Sequence, residues 1–493
     1  MDDSRLAPIL AVDELRALES RHAADGLMER AGAAAAAVAQ AMLASSRGGR
    51  VVVLAGPGNN GGDGFVVARR LRAAYHDVDI VFRAEVARLP RDARAAHDAF
   101  VAAGGAAVRE PPTQVPALVV DALFGVGLAR PIGGADADLV AWANARGAPV
   151  LALDVPSGLD AATGALGPIA MRATATATFI ALKPGLLTGE GPDAAGIVSV
   201  HTLGLVAELA SVRGRRLDWP LVFALVGERL SRARRNVHKG TFGTLGILGG
   251  ASGMTGAPIL AGRAAMRCGV GKVRLGFVAT SHPAVDWLAP ELMLGGLAQA
   301  VDGASAIVAG PGMGTDDASA NALRRAIDAD VPLVLDADAL NLVAASQSLA
   351  GAVRARRSAT LATPHPAEAA RLVGGSAASV QQDRLAAASA VADKLRASVV
   401  LKGAGSVLVH ADGRFDINAS GNPALASAGS GDVLAGMLGA LLAQGLDTAT
   451  ALRAAVCLHG AAADRLVARG IGPLGVGASE LCDAARDLLN ARA

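Results

Sequence analysis

Short apolar runs alternate with helical patterns along the chain, and Gly-rich turns separate them. In the first half the runs predict strands at Val51–Ala55, Val78–Phe82, Ala117–Val120 and Pro149–Leu153. The intervening patterns predict helices that include Gly64–Ala74 and Ala135–Ala145, and Ala11–Leu43 predicts two helices before the first strand. Strands that are apolar along their whole length are typical of a parallel sheet covered by helices on both faces.

The same alternation begins again after about residue 240. Strands are predicted at Thr244–Leu248, Lys272–Leu275, Ala306–Val308, Pro332–Leu335, Thr360–Ala362 and Ser398–Leu401, a hairpin over Ser406–Asn418, and helices over Gly431–Ala443 and Thr448–Val467. The predicted fold class is therefore α/β with two domains. Because Ser211–Asn236 is rich in arginine and interrupts the pattern, we expect the domains to span residues 1–212 and 213–493.

Composition narrows the function classes. Of the 493 residues, 52% are hydrophobic and 18% charged, which excludes a disordered chain. The net charge is +2 and only 3% of residues are aromatic, so a nucleic-acid partner is not expected. Three widely spaced cysteines and the lack of a signal-like or membrane-spanning segment lead us to expect a soluble cytoplasmic protein.

Lysine is scarce in this chain. Only five of the 46 basic residues are lysines, and the others are arginines. Since an ammonium and a guanidinium group are not equivalent at a phosphate or in a tight turn, each retained lysine is a mild indication of a specific role. The five are Lys183, Lys239, Lys272, Lys394 and Lys402, of which Lys394 fits an ordinary polar helix face.

A glycine-rich loop follows the first predicted strand. Gly56, Gly58 and Gly61 satisfy a dinucleotide-binding pattern, but Arg83 stands where that pattern requires an acid at the end of the next strand. The loop also carries a polar cluster, Asn59-Asn60 followed by Asp63, which a phosphate loop does not need. These residues could instead cap the helix or favour the turn.

Two further carboxylates are predicted at strand ends in the first half. Asp121 precedes the loop Gly125–Pro131, and Asp154 precedes Pro156-Ser157-Gly158. Ligands of open α/β sheets bind at the carboxyl ends of strands, so these groups should converge with the polar cluster around Asn60. Oxygen ligands of this kind suit an alkali or alkaline-earth cation, although any one carboxylate alone could be an ordinary cap.

Strand ends in the second half carry several motifs. They are Gly310–Gly314, Asp336–Asn341, Thr363–Glu368 and Lys402–Ser406. His365 lies between two prolines, which suits a positioned ligand contact as well as a histidine of a surface loop. The rare lysine of Lys402–Ser406, next to a glycine turn, suits a nucleotide phosphate.

The segment Gly429–Asp432 opens a long apolar helix and is the clearest chemical signal. Amides at a helix N-terminus can stabilise developing negative charge. Asp432 could accept the proton of a hydroxyl group that attacks phosphorus. The alternative is that Asp432 only caps the helix and that the glycines only form a turn.

Together these motifs resemble two enzyme families. Asn59–Gly64, Asp121–Pro131 and Asp154–Gly158 resemble NAD(P)H-hydrate epimerases, which implies a Rossmann-like three-layer α/β/α domain. The second-half motifs, with His238–Gly240 and Thr255–Pro258, resemble ADP-dependent NAD(P)H-hydrate dehydratases, which implies a ribokinase-like domain. Their order resembles the fused bifunctional repair enzymes, and the likeness covers nearly the whole chain.

The resemblance implies that the substrates are NADHX and NADPHX, in which the nicotinamide ring is hydrated. One domain would interconvert the R and S epimers. The other would dehydrate the S epimer using ADP, releasing NAD(P)H, AMP and phosphate. The implied cofactors are K⁺ in the epimerase and Mg²⁺ in the dehydratase. We also expect a homo-oligomer; the choices between ADP and ATP and between NADHX and NADPHX stay open.

The resemblance also assigns site residues. The epimerase substrate would contact Asn59, Asn60, Gly61, Gly62, Asp63, Gly125, Val126, Gly127, Leu128, Ala129, Arg130, Pro131 and Asp154, and potassium would be held by Asn60, Asp121 and Ser157. The dehydratase substrate would contact Ala257, Gly312, His365 and Asp432, and the nucleotide would contact Lys402, Gly403, Ala404, Gly405, Ser406 and Gly431. The expected catalytic residues are Asp154 and Asp432.

Three positions depart from the family pattern. Met254 stands where an aromatic residue is expected, Ser430 replaces threonine, and Ala129 replaces a polar residue. A ribokinase-type kinase of a small hydroxylated metabolite also explains Gly429–Asp432, but not the polar cluster of the first half. A non-catalytic nucleotide-binding protein would lack the acids, and a hydride-transfer oxidoreductase is disfavoured by the single marginal dinucleotide loop.

Overall fold

The computed structural model describes residues 5–44, 48–128, 130–230, 232 and 235–491. The chain divides into two compact units, Ala7–Gly214 and Arg215–Ala493, with Met1–Leu6 assigned to the second. Each unit has its own hydrophobic core, so each is described by itself.

The N-terminal unit alternates strands with helices. Its strands are β1 (Ala7–Ile9), β2 (Val51–Ala55), β3 (Val78–Phe82), β4 (Ala107–Val108), β5 (Leu118–Ala122), β6 (Val150–Leu153), β7 (Ala175–Phe179) and β8 (Ile197–His201). Its helices are α1 (Val12–Arg21), α2 (Leu27–Leu43), α3 (Asn59–Ala73), α4 (Arg91–Ala102), α5 (Gly134–Ala145) and α6 (Gly191–Ala195). Strands β2 to β8 form a parallel sheet in the order β4-β3-β2-β5-β6-β7-β8.

The central strands β2 and β6 are buried on both faces because they are apolar at every position. Val51 and Val53 of β2 pack into a core with α2, α3 and α4. The alternate residues Val52 and Leu54 pack into a second core with α5. Successive side chains of a strand point to opposite faces, so this division gives the three layers expected from the sequence.

The strand order reverses direction between β2 and β5. The chain runs outward from β2 to β3 and β4 and then returns to place β5 on the other side of β2. Such a switch point leaves a crevice at the carboxyl ends of the two strands. The segments that follow β2 and β5 therefore meet there.

The C-terminal unit repeats the alternation over a longer stretch. Its strands are β9 (Gly214–Leu217), β10 (Thr244–Gly249), β11 (Lys272–Phe277), β12 (Met293–Gly295), β13 (Ala306–Ala309), β14 (Leu333–Leu335), β15 (Thr360–Ala362), β16 (Ser398–Leu401), β17 (Val407–Val409) and β18 (Phe415–Asn418). Its helices are α7 (Trp219–Leu230), α8 (Gly256–Arg267), α9 (Leu297–Val301), α10 (Asp317–Asp328), α11 (Ala337–Ala345), α12 (Gln347–Arg354), α13 (Pro366–Val373), α14 (Ala377–Gln382), α15 (Arg384–Leu395), α16 (Ser430–Ala443), α17 (Thr448–Ala468) and α18 (Ala478–Asn490).

Strands β12, β11, β10, β13, β14, β15 and β16 lie side by side and are parallel. The antiparallel hairpin β17–β18 extends the sheet beyond β16. Leu245 and Ile247 of β10 belong to a core with α8 and α16 on one face. On the other face α9 approaches so closely that a Cβ on Gly246 would lie 2.2 Å from the Ala300 carbonyl oxygen.

These observations confirm the expected two-domain α/β class. The predicted strands Val51–Ala55, Val78–Phe82, Thr360–Ala362 and Ser398–Leu401 agree with the structure to the residue, and the predicted hairpin is present. The predicted start of the helix at Gly64 was wrong, since α3 begins at Asn59. Among the described residues, no helix combines the length and the apolar character needed to cross a membrane.

A substitution in α16 should test the packing of the C-terminal unit. A Cβ on Gly436 would lie 2.0 Å from the carbonyl oxygen of Ala261 in α8, so Gly436→Ala must push the two helices apart. We expect a loss of about 1–3 kcal/mol or more in the free energy of unfolding, measured by thermal denaturation. The matched control is Gly351→Ala in α12, where no atom lies within 4 Å and a gain of up to about 1 kcal/mol is expected. Equal stability of the two variants would contradict this packing.

Candidate active sites

The carboxyl end of β6 carries a buried ion pair. Asp154 follows the strand directly and adopts a left-handed backbone conformation, with a φ of 64°. Lys183 Nζ contacts Asp154 Oδ1 and donates to Thr178 Oγ1 and to the Phe179 carbonyl oxygen, both at 2.8 Å. Lys183 is only 1% exposed, so the pair is removed from solvent. Because β7 lies beside β6, residues from both strand ends contribute to it.

Two further carboxyl groups surround this pair. Burial holds the pKa of Asp63, in α3, well above its usual range, and the negative charges of Asp154 and Glu19 raise it further. Burial and Asp154 also raise the pKa of Glu19, which α1 brings to the site. Lys183 lowers both pKa values, but not enough to reverse the shifts. The site therefore holds a paired carboxylate next to a carboxyl group that retains its proton to higher pH.

Asp121, the fourth residue of β5, forms a separate buried arrangement. Its Oδ1 accepts from Ser157 Oγ at 2.6 Å, and its Oδ2 accepts from the Ser157 backbone N–H at 2.8 Å. Burial raises the pKa of Asp121 to about 6 although these bonds and one from the Leu123 N–H oppose the shift. Buried Asn60 has no hydrogen-bond partner for its amide nitrogen or its amide oxygen within the described part of the chain.

Glycines allow these segments to meet at the switch point. A Cβ on Gly56 would lie 1.8 Å from the Leu123 carbonyl oxygen, and one on Gly61 would lie 2.0 Å from the Gly56 carbonyl oxygen. Gly125 lies beside Asn60, where a Cβ would make only ordinary contact, at 3.4 Å from the amide oxygen. Because these positions have no side chain, the β2–α3 turn can lie close to the loop after β5.

The other predicted residues of this site lie in two segments. Asn59, Gly61 and Gly62 belong to the first turn of α3, whereas Gly125, Val126, Gly127, Leu128, Arg130 and Pro131 belong to the loop between β5 and α5, and Ala129 lies outside the described residues. Arg16 of α1 donates to the Val126 carbonyl oxygen at 3.3 Å, so α1 contacts this loop too.

A second ion pair lies at the carboxyl ends of three neighbouring strands of the C-terminal unit. Asp336 follows β14, Thr363 follows β15 and Lys402 follows β16. Asp336 Oδ1 accepts from Lys402 Nζ at 2.8 Å and from Thr363 Oγ1 at 2.7 Å. Glu368 Oε2 lies 4.0 Å from the same ammonium group. The half-buried Lys402 is therefore shared between carboxylates.

Asp432 lies beside this pair, in the first turn of α16. Burial raises the pKa of Asp432 to about 7, Asp336 and Asp338 raise it, and Lys402 opposes them. A Cβ on neighbouring Gly431 would lie 3.3 Å from Lys402 Nζ, which brings the helix N-terminus to the ion pair. The N-cap of α16 is Gly429, with a φ of 86°, so Asp432 is not the cap that the alternative interpretation required.

His365 is the N-cap of α13. Its Nδ1 accepts from the Ala367 N–H at 3.1 Å, and its Nε2 lies 3.1 Å from Glu368 Oε1. Burial alone would raise the pKa of Glu368, but the His365 hydrogen bonds and the charge of Lys402 bring it below its usual value. His365 is thus connected to Lys402 through Glu368.

The remaining predicted residues of this unit fall into two places. Ala257, at the start of α8, lies against Gly312, because a Cβ on Gly312 would be 3.1 Å from the Ala257 Cβ. Gly403, Ala404, Gly405 and Ser406 form the turn from β16 to β17. Buried Arg384 supports that turn and donates to the carbonyl oxygens of Leu401 at 3.2 Å and Lys402 at 3.3 Å.

Sequence reasoning missed several residues of both sites. It assigned no role to Glu19, Lys183, Thr178, Arg384 or the individual side chain of Asp336. The scarcity of lysine was the one available signal, since Lys183 and Lys402 both prove to be ion-pair partners of an aspartate. Across the part of the chain that the structure describes, no group of three or more His, Cys, Asp or Glu side chains could hold a metal ion.

Comparison with known proteins associates each unit with a family. Residues 245–485 match the family model described as NAD(P)H-hydrate dehydratase, and residues 24–185 match the model described as YjeF-related protein N-terminus. The chain is 38% identical to the bifunctional NAD(P)H-hydrate repair enzyme Nnr of Escherichia coli, over 89% of this chain and 85% of that protein. It is 36% identical to the enzyme of the same name from Coxiella burnetii, over 97% of both chains.

Among solved structures, the chain is similar to a dehydratase from Bacillus subtilis. That structure is described as an ADP/ATP-dependent NAD(P)H-hydrate dehydratase co-crystallised with ATP/Mg²⁺. The identity is 32% and the TM-score 0.47, and the match covers 53% of this chain and 94% of that one.

Removal of the buried Asp63 carboxyl group should stabilise the N-terminal unit. The pKa of this carboxyl group is higher in the folded state than in the unfolded state. Such a group lowers the free energy of unfolding as the pH rises from its unfolded-state pKa towards its folded-state pKa. Asp63→Asn should therefore melt at a higher temperature than the wild type, by about 2–4 °C for each kcal/mol gained.

The difference in melting temperature between Asp63→Asn and the wild type should widen as the pH is raised from about 4 towards neutrality, as thermal denaturation can show. The exposed Asp138→Asn is the control and should change little at any of these pH values. A lower melting temperature for Asp63→Asn at the upper end of this range would contradict the electrostatic picture.

Proposed function

This chain belongs to the family of bifunctional NAD(P)H-hydrate repair enzymes, and on this premise we propose that it restores hydrated NADH and NADPH. Residues 1–212 interconvert the R and S epimers of the hydrate. Residues 213–493 dehydrate the S epimer at the expense of ADP and give NAD(P)H, AMP and phosphate. The near full-length similarity to the bacterial repair enzymes supports both halves of this proposal.

The observation that carries the dehydratase proposal is the position of Asp432. Its carboxyl group lies at the N-terminal turn of α16, next to Lys402 and Asp336. No hydrogen bond from a described residue reaches this carboxyl group, so it is available to a ligand. A base with a pKa near 7 is well matched to take a proton at neutral pH.

Dehydration then proceeds by phosphorylation and elimination. The hydroxyl oxygen of the hydrate attacks the terminal phosphorus of ADP and gives its proton to Asp432, while the bond between that phosphorus and the bridging oxygen breaks and AMP leaves. The amides of Gly429–Asp432 stabilise the charge on the phosphoryl oxygens. The carbon–oxygen bond of the new ester then breaks, phosphate departs, and loss of a proton from the neighbouring carbon restores the ring double bond.

We assign the ligand contacts to two groups of residues around Asp432. We assign the hydrate to Ala257, Gly312 and His365, and the nucleotide to Gly431 and the turn Lys402–Ser406. Lys402 would exchange part of its pairing with Asp336 for a phosphate. Mg²⁺ would be held mainly through nucleotide phosphates, in keeping with the lack of a ready metal cluster among the described residues and with its preference for such mixed ligation.

In the epimerase, Asp154 is the acid or base for loss and return of the hydroxyl group at one ring carbon. A proton delivered to the hydroxyl lets it leave as water when the carbon–oxygen bond breaks. Water then returns to the other face of the ring and loses a proton to the protein. Asp63 retains a proton to higher pH and lies within electrostatic reach of Asp154, so a proton donor lies near the ion-paired carboxylate.

The residues around Asn60 fit a potassium ion. Its buried amide oxygen lacks a partner among the described residues, which is what an absent cation would leave. Asp121 and Ser157 add a carboxylate and a hydroxyl, and a cation would offset the burial that raises the pKa of Asp121 to about 6. We propose that these three residues hold K⁺, which would supply positive charge to bind and orient the substrate.

We further propose a homo-oligomer in the cytoplasm, with no nucleic-acid or membrane partner. Cys268, Cys457 and Cys482 are all unpaired and buried, which agrees with a reducing compartment.

Substitution of Asp432 should separate the two activities. Asp432→Asn should lower the rate of ADP-dependent dehydration by about 10²–10⁴-fold, because the attacking hydroxyl loses its base. The rate of epimerisation, which chromatographic separation of the R and S forms measures, should be unchanged. Asp447→Asn, at the N-cap of α17, is the matched control and should keep both activities. Loss of both activities in Asp432→Asn alone would argue against two separate sites.

The pH dependence of dehydration should report the surroundings of Asp432. The base must be ionised, so kcat at saturating ADP should rise with pH and level off above about pH 7. Lys402→Met removes a positive charge and should move this rise to higher pH, whereas Asp336→Asn removes a negative charge and should move it to lower pH. Shifts of both variants in the same direction would show that another group controls the profile.

A further inference from the structure

The Asp154 carboxylate is held at one oxygen only. Oδ1 contacts Lys183 Nζ and accepts from Thr178 Oγ1 and from the Phe179 N–H, both at 3.3 Å. Over residues 5–44, 48–128, 130–230, 232 and 235–491, no side chain or backbone group donates to Oδ2. The carboxylate thus has an anchored oxygen and an oxygen that is available to a ligand.

Lys183 is too fully engaged to bind the substrate itself. Its three donors contact Asp154, Thr178 and the Phe179 carbonyl oxygen, which exhausts the ammonium group. The side chain is also 1% exposed, so it has no route to a ligand. A buried lysine in this state can act only through the group that it holds.

The backbone at Asp154 also requires support. A φ of 64° is uncommon for a residue other than glycine. It is maintained only where contacts with the surrounding structure stabilise it. The backbone N–H of Asp154 donates to the Ala177 carbonyl oxygen at 2.8 Å, so β7 holds both the backbone and the side chain of this residue. The position of Oδ2 is therefore set by β7 and Lys183.

We propose that Lys183 and Thr178 are positioning residues for epimerisation, which fix Asp154 so that Oδ2 meets the hydroxyl group of the hydrate. This inference rests on the proposed epimerase function. Neither residue touches the substrate; each acts through Asp154 by limiting where its free oxygen can lie. Their loss should slow the chemical step rather than weaken substrate binding.

Thr178→Val tests the inference with little change in shape. It removes one hydroxyl that both donates to Asp154 and accepts from Lys183. We expect kcat for epimerisation to fall by about 10-fold, with KM unchanged. Thr178→Ser keeps the hydroxyl and should restore most of the rate. Lys183→Met should cost roughly 10²-fold, since a displaced catalytic group loses rate on this scale.

Thr176→Val is the matched control. Thr176 lies on the same strand, is equally buried and donates to the Ala195 carbonyl oxygen at 2.7 Å, away from the ion pair. It should keep the wild-type kcat and KM. Dehydration of the purified S epimer by the same preparations, in the presence of ADP, checks that the chain is intact.

The outcomes separate this inference from the function on which it rests. If the wild-type chain does not epimerise the hydrate, the proposed function fails. If it does, and Thr178→Val retains the wild-type kcat, loses only affinity, or loses no more rate than Thr176→Val, the positioning role is wrong.

Discussion

Each unit of this protein pairs a lysine ammonium with a buried aspartate at the carboxyl ends of its parallel strands. The pairs are Lys183–Asp154 and Lys402–Asp336. Burial of an unpaired charge is costly, so each lysine requires its carboxylate, and the pair fixes the loops that leave neighbouring strands.

A carboxyl group with a raised pKa lies beside each pair, and burial is the main cause of the shift. Asp63 is buried and Asp432 is half-buried, each near a negative partner, and both keep their protons to higher pH than an exposed aspartate. The lysine in each site opposes that shift. Its positive charge therefore lowers the pKa of the neighbouring carboxyl group and also pairs with the aspartate. A carboxyl group with a raised pKa is a general solution for acid and base catalysis near neutral pH.

The sequence pattern predicted the sheets well because a short, fully apolar run such as Val51–Ala55 fits few structures other than a parallel strand that helices cover on both faces. It also predicted that Asp121, Asp154 and Lys402 would lie at strand ends, since this follows from the order of the elements alone. It did not predict Glu19 or Arg384, because helices bring these residues to the sites from other parts of the fold. The start of α3 was misplaced because its first turn is rich in glycine and asparagine, which favour turns.

The most direct test of the account is recovery of the reduced cofactor from a mixture of the R and S hydrates. The wild-type chain with ADP should restore the full absorbance of NADH, quickly for the S epimer and then at the rate at which the R epimer is converted. Recovery of only the S fraction would contradict the epimerase half. A complete lack of recovery with ADP or ATP would contradict the central claim that this chain repairs hydrated nicotinamide nucleotides.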